Sequence, residues 1–296
     1  MHKRLLHFML ILLLSSSALV QGESQSLYVL ALLGPTWDHP TISLLIVPQP
    51  NATWWNPTYV NSTLRAISQW NEAISFFAQN YSNFSYLSEL KITPRVYDEL
   101  NQSYDVKISW IEQFGNETCD AGQTRTTHST SKTVRNSVVQ LAAYDCRGTV
   151  LNEVDIQNVA LHEIGHTLAL SHANNTEDVM YFSYTLGKPV RALSTLDVYG
   201  VARVFRWLAY SPDFNPENQG NEKFSISLPS NIQYEFLPIA QENLPPQSLT
   251  DLVSNFAVDV VRFILRPDVL IAMAIAISVI VTVGLWTRKA RRPASK

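Results

Sequence analysis

The chain of 296 residues contains only two cysteines, Cys119 and Cys146. That excludes a scaffold held by many disulfides, and outside the cytosol an even pair is most simply one disulfide. Excess charge of one sign is missing as well. Lys and Arg number 22 against 25 Asp and Glu, for a formal net charge of −3. Nothing in that balance argues for nucleic acid as a partner. No internal repeat is visible. The apolar content is high partly because both ends of the chain are hydrophobic.

Those ends have distinct forms. Residues 1–22 read as a secretory signal, with Lys3 and Arg4 at the start, an apolar core from Leu5 to Leu14 and a small-residue exit. An uncleaved anchor is the rival reading, although the apolar run is short for a membrane span. Near the other end, Val269 to Trp286 carries no charged residue, which predicts a transmembrane helix over 266–287. A buried core helix is the alternative. Arg288, Lys289, Arg291, Arg292 and Lys296 follow at once, which places the tail 288–296 in the cytoplasm. The expectation is a single-pass protein of the cell membrane with its folded part outside. Seven N-x-Ser/Thr acceptor sites agree with that side, at Asn51, Asn61, Asn80, Asn83, Asn101, Asn116 and Asn174. Some of them are chance matches, since Asn is abundant.

The chemistry lies in Leu161-His162-Glu163-Ile164-Gly165-His166-Thr167-Leu168-Ala169-Leu170-Ser171-His172. His162 and His166 project from one helical face and can hold one metal ion together. Glu163 stands beside the first ligand, where its carboxylate can take a proton from an activated water. His172 falls too far round for the same helix, so the chain must turn after about Leu168 to bring it back. Three imidazoles with one open position form the catalytic rather than the structural zinc arrangement. Met180 follows in the short apolar segment Asp178-Val179-Met180-Tyr181.

This pattern resembles the metzincin metallopeptidases, whose signature is H-E-x-x-H-x-x-G-x-x-H followed by a Met-turn. It is closest to the matrixin branch, with likeness also in Asp155 to Ala160 and in Leu193 to Val201. The resemblance implies an α/β fold: a twisted mixed sheet, two long helices and a small C-terminal subdomain after His172. It implies one zinc ion on His162, His166 and His172, with Glu163 as general base and Met180 supporting the base of the site. The implied activity is endopeptidase cleavage of extended peptide segments of extracellular proteins. There is one departure, Ala169 in place of the family glycine. Alanine can adopt positive φ at a cost of roughly 1 kcal/mol; if it continues the helix instead, His172 misses the metal. A non-hydrolysing binding or adhesion ectodomain of the same fold is the alternative function, and a chance motif in an anchored glycoprotein is a third. Cys119 as a zinc-blocking thiolate is set against the disulfide, and the propeptide motif for such a role is absent. The His/Asp pattern of a structural zinc site is not evident, nor is a pro-segment after Gly22.

The rest of the chain is ordered around this site. Thr41 to Val47 reads as a buried strand. From Asn61, Leu64, Ile67, Trp70, Ile74 and Phe77 recur at helical spacing over about twenty residues. Ile92–Tyr97, Val106–Ile111 and Ser137–Tyr144 read as strands, the first at an edge or irregular because of Pro94. The family's exposed substrate edge falls within about Ala121 to Thr130. His128 there reads as a surface residue rather than a fourth ligand. Asn152 or Asp155 can cap the active-site helix, and Ser194 with Asp197 is a capping-box-like start for the last one. Tyr181 to Ala192, with Tyr184 and Pro189, form the expected wall of the pocket for the substrate side chain beyond the scissile bond. The domain plan is a peptidase domain over 23–210, then a stalk and juxtamembrane segment over 211–265, within which Phe224 to Ile239 alternates like strands. Oligomeric state is left open.

Overall fold

The computed structural model describes residues 28–96, 103–115, 119–210 and 224–238. The expected signal (1–22), span (266–287) and tail (288–296) lie outside these residues, as do Asn101 and Asn116. Among the described residues, no helix is long and apolar enough to cross a membrane.

The chain opens with a short strand, β1 (Leu30–Leu32), and then β2 (Thr41–Val47), whose branched residues suit an inner strand. Helix α1 (Thr58–Asn80) follows. Its Ile67, Trp70, Ile74 and Phe77 are all buried, so the apolar stripe faces the core. A 3₁₀ stretch (Ser82–Glu89) leads to β3 (Lys91–Val96), then β4 (Val106–Ile111), β5 (Gly122–His128) and β6 (Val134–Ala142). These build one five-stranded sheet in the order β3-β2-β4-β6-β5. Strands β3, β2, β4 and β6 run parallel, and β5 pairs antiparallel with β6 at one edge. Pro94, which cannot donate to a ladder, sits on the opposite edge strand opposite Leu44. The disulfide Cys119–Cys146 ties the approach to β5 to the turn after β6.

Helix α2 (Glu153–Thr167) packs beside α1, and the Trp70 indole N–H donates to the Leu161 carbonyl at 2.9 Å. Asn152 is its N-cap: the side-chain oxygen accepts from Val154 N and Asp155 N, and Asp155 accepts from Asn152 N in return. After α2 comes β7 (Leu170–Ala173), then α3 (Thr195–Val204), capped by the reciprocal Ser194–Asp197 bonds.

Residues 224–238, within the stretch read from sequence as stalk, pack onto this unit. Strand β8 (Ser225–Ile226) pairs with β1, which pairs with β7 on its other side. Ile232 and Leu237 are buried, and Thr195 and Leu193 exchange backbone bonds with Glu235 and Leu237.

Candidate active site

Helix α2 delivers His162, Glu163 and His166 one turn apart, and the turn that ends it decides where His172 goes. Leu168 closes the helix through bonds to the Ile164 and Gly165 carbonyls. Ala169 then takes φ 65°, the left-handed region a glycine would fill at less cost. β7 leaves in the direction of β1, and His172 on it returns to the helix. The ligand nitrogens of His162, His166 and His172 lie within 4.8 Å of one another.

Hydrogen bonds set which nitrogens those are. The Nδ1–H of His162 donates to the Val179 carbonyl at 2.8 Å, and that of His166 to the Leu170 carbonyl at 2.9 Å. A carbonyl only accepts, so Nδ1 carries the proton and Nε2 keeps its lone pair for a metal. Burial, with help from neighbouring imidazoles, depresses His162 to about 3 and His166 to about 4; burial lowers His172 as well. The imidazoles are therefore neutral at physiological pH. This donor set fits a divalent ion such as zinc.

Glu163 is buried at 5% exposure. Burial raises its carboxyl to about 7, against a 2.6 Å bond from the Thr124 hydroxyl that lowers it. Gly122 on β5 is needed for this approach, since a Cβ there would sit 2.6 Å from Glu163 Oε1. Gly165 is needed in the same way, because its Cβ would run into the Sδ of Met180. Met180 is fully buried under the helix, and its carbonyl accepts from Ala173 N at 2.8 Å.

Below Met180 lies a buried polar cluster. The Asp178 carboxylate accepts from Met180 N, from the Ser194 hydroxyl and from Tyr234 Oη. Asp197 stands beside it, and burial together with the Asp178 charge holds it well above the usual carboxylate range.

A cavity of about 540 Å³ opens beside Glu163, between Cys119–Thr124 on one side and Val179–Tyr184 on the other, with Arg191 in its lining. Tyr184 contributes to it as expected, while Pro189 stands behind, its carbonyl bound by Asn158. A second cavity of about 350 Å³ lies toward Thr126 and His128. His128 is not part of the imidazole cluster; its Nδ1 meets the Ser129 carbonyl. Cys119 is in the disulfide and holds no free thiol for a metal. Asn51, Asn61, Asn80, Asn83 and Asn174 are exposed, and Asn174 Oδ1 accepts from Val29 N. Arg191 lies within the expected wall, whereas sequence reasoning missed Gly122, Thr124, Asp178 and Tyr234 as contributors, because each reaches the site through contacts distant in the chain.

Comparison with known proteins agrees with this geometry. A family described as Matrixin matches residues 36–206, and the mixed α/β architecture fits it. A stretch of 67 residues is 39% identical to Metalloendoproteinase 2-MMP of Arabidopsis thaliana. The match spans 23% of this chain and only 17% of that relative.

Proposed function

This chain belongs to the matrixin family, and from that premise we propose that it is a zinc-dependent endopeptidase. The observation that carries the reading is the convergence of three neutral imidazoles and the buried Glu163 on one cavity at a sheet edge. Zinc held by His162, His166 and His172 would supply Lewis acidity toward a peptide carbonyl and toward water. Among the described residues strand β5 has a neighbour on one side only, so its outer edge can take an extended peptide as an added strand. Glu163 accepts a proton from the attacking water as its oxygen bonds to the carbonyl carbon. It then hands that proton to the amine nitrogen as the C–N bond breaks. A carboxyl near 7 suits both halves of that cycle. Thr124 keeps it aimed, and Met180 packs the floor without touching substrate.

The basic tail after an uncharged run supports anchoring through 266–287, with the site outside the cell and extracellular proteins as substrates. The left-handed turn at Ala169 lies before His172, which stands beside His162 and His166, and this supports hydrolysis over a binding-only site.

The test is cleavage of a mixed peptide library by the full chain in detergent. Cleavage should vanish with a zinc chelator, return with added zinc, and be absent in Glu163→Ala. Stoichiometric zinc without any cleavage would favour the binding-only alternative.

A further inference from the structure

Arg191 is the one cation lining the cavity beside Glu163 among the described residues. Its Nη1 donates to the Asp178 carbonyl at 2.8 Å and its Nη2 reaches the Thr176 carbonyl at 3.4 Å. Its Cζ lies 5.4 Å from the centre of the Tyr184 ring. A guanidinium has five N–H donors in a flat fork, so these contacts leave several over. The two acceptors are uncharged, and no carboxylate among the described residues forms an ion pair with it. The acids around it have other partners: Glu163, in the same cavity, accepts from the Thr124 hydroxyl. Asp155 accepts from Asn152 N, Tyr184 Oη and Gly187 N. The Asp178 carboxylate is taken by Met180 N, Ser194 and Tyr234. Asp120, at the cavity mouth, is exposed and screened by solvent.

A half-buried cation without a counter-charge is costly to cover. An apolar side chain entering the cavity would strip water from the guanidinium and return no hydrogen bond. A carboxylate would meet the free edge of the fork with two charge-assisted bonds. The position of the cavity says which substrate residue enters. It lies at the Gly122 end of β5, and the second cavity lies at the His128 end. We take the added peptide to run antiparallel to β5, as β6 does on the other side, and its C-terminal half then lies beside Gly122. The side chain entering the cavity is therefore the one just past the scissile bond.

Resting on the peptidase reading, we propose that this cavity selects an acidic side chain, Glu or Asp, directly after the scissile bond, and that Arg191 recognises it.

Three peptides that differ only at that position, carrying Glu, Gln or Leu, test this with the full zinc-loaded chain in detergent. The Glu peptide should exceed both others in kcat/KM by about tenfold or more, the discrimination expected when a site built for a polar partner meets one that lacks it. Arg191→Met should remove that preference, through a rise in KM that is larger for the Glu peptide than for the Leu peptide. Arg191→Lys, which keeps the charge and loses the fork, should retain part of the preference of Glu over Gln. Leu equal to or better than Glu in the unaltered chain overturns the assignment, without touching the peptidase reading. So does a parallel loss on all three peptides in Arg191→Met, which would mark Arg191 as a clamp on Thr176 and Asp178 alone. Cleavage of none of them, with zinc bound, brings down the peptidase reading and this inference together.

Discussion

Thr124 and burial pull the Glu163 carboxyl in opposite directions, the hydroxyl down and the apolar surroundings up. Thr124→Val removes the donor and leaves burial and the Asp120 charge, both of which raise the carboxyl further. A general base works ionised, and the acidic limb of kcat/KM should therefore move to higher pH. A pH–rate profile checks this; a limb that stays put or moves down contradicts the role given to Thr124. Ala169 offers a second test, on stability. Glycine there relieves roughly 1 kcal/mol of backbone strain, but it loses a buried methyl worth roughly 0.8 kcal/mol and gains freedom when unfolded. Ala169→Gly should be neutral within about 1 kcal/mol in urea melts, whereas Ala169→Val, β-branched at positive φ, should cost more than about 2 kcal/mol. At this scale His162, Glu163, His166, His172 and Met180 were legible from spacing, because one helix and one turn connect them. Thr124 and Gly122 were not, since only strand pairing brings β5 over the helix.

Helix α3 shows how a locally legible element can hide a distant partner. The Ser194–Asp197 capping box follows from sequence spacing, and both bonds of it form. What spacing does not show is the Asp178 carboxylate beside it, brought there by the segment under Met180. The two acids share a fully buried space, and Asp197 is raised, by burial first and by Asp178 next. With the folded value above the unfolded one, the stability Asp197 contributes is complete below the ordinary carboxylate range. It is lost as pH rises toward the raised value. Urea melts from about pH 4 to about pH 8 should show the unaltered chain weakening relative to Asp197→Asn. A stability difference that is constant over that range contradicts a raised Asp197 carboxyl. The strands Thr41–Val47 and Val106–Ile111 were legible to the residue from branched, buried patterns. β3 and β6 were displaced by one to three residues, where edge position and Ser or Asn content blur the alternation.

For the whole molecule the disulfide and the strap 224–238 matter most. Cys119 and Cys146 are 27 residues apart, and closing a loop of that size restricts the unfolded chain by about 3.5 kcal/mol. The bond also holds the entry to β5, whose first residues line the cavity. Replacing both cysteines by alanine should lower stability by about 3 kcal/mol in urea melts and raise KM for peptides more than it lowers kcat. An unchanged KM would show that β5 keeps its place without the crosslink. The pairing itself was legible from a count of two. The strap was legible only in part: Phe224 to Ile239 alternates like strands, but its pairing with β1, at the other end of the domain, is not visible in the sequence.

That partnership governs when the site can exist. β1 is the first of the described strands to be made, yet both strands that pair with it come from far down the chain. Long-range closures of this kind are slow compared with local ones. The helix with two imidazoles can form early, while the third waits for β7 to find β1 and for β8 to seal the far edge. Chains that end before β8 should bind zinc more weakly than chains that include it, which equilibrium titration of staged truncations would measure. Hydrolytic capacity would then arrive late in the birth of the molecule, after nearly the whole domain has emerged and folded.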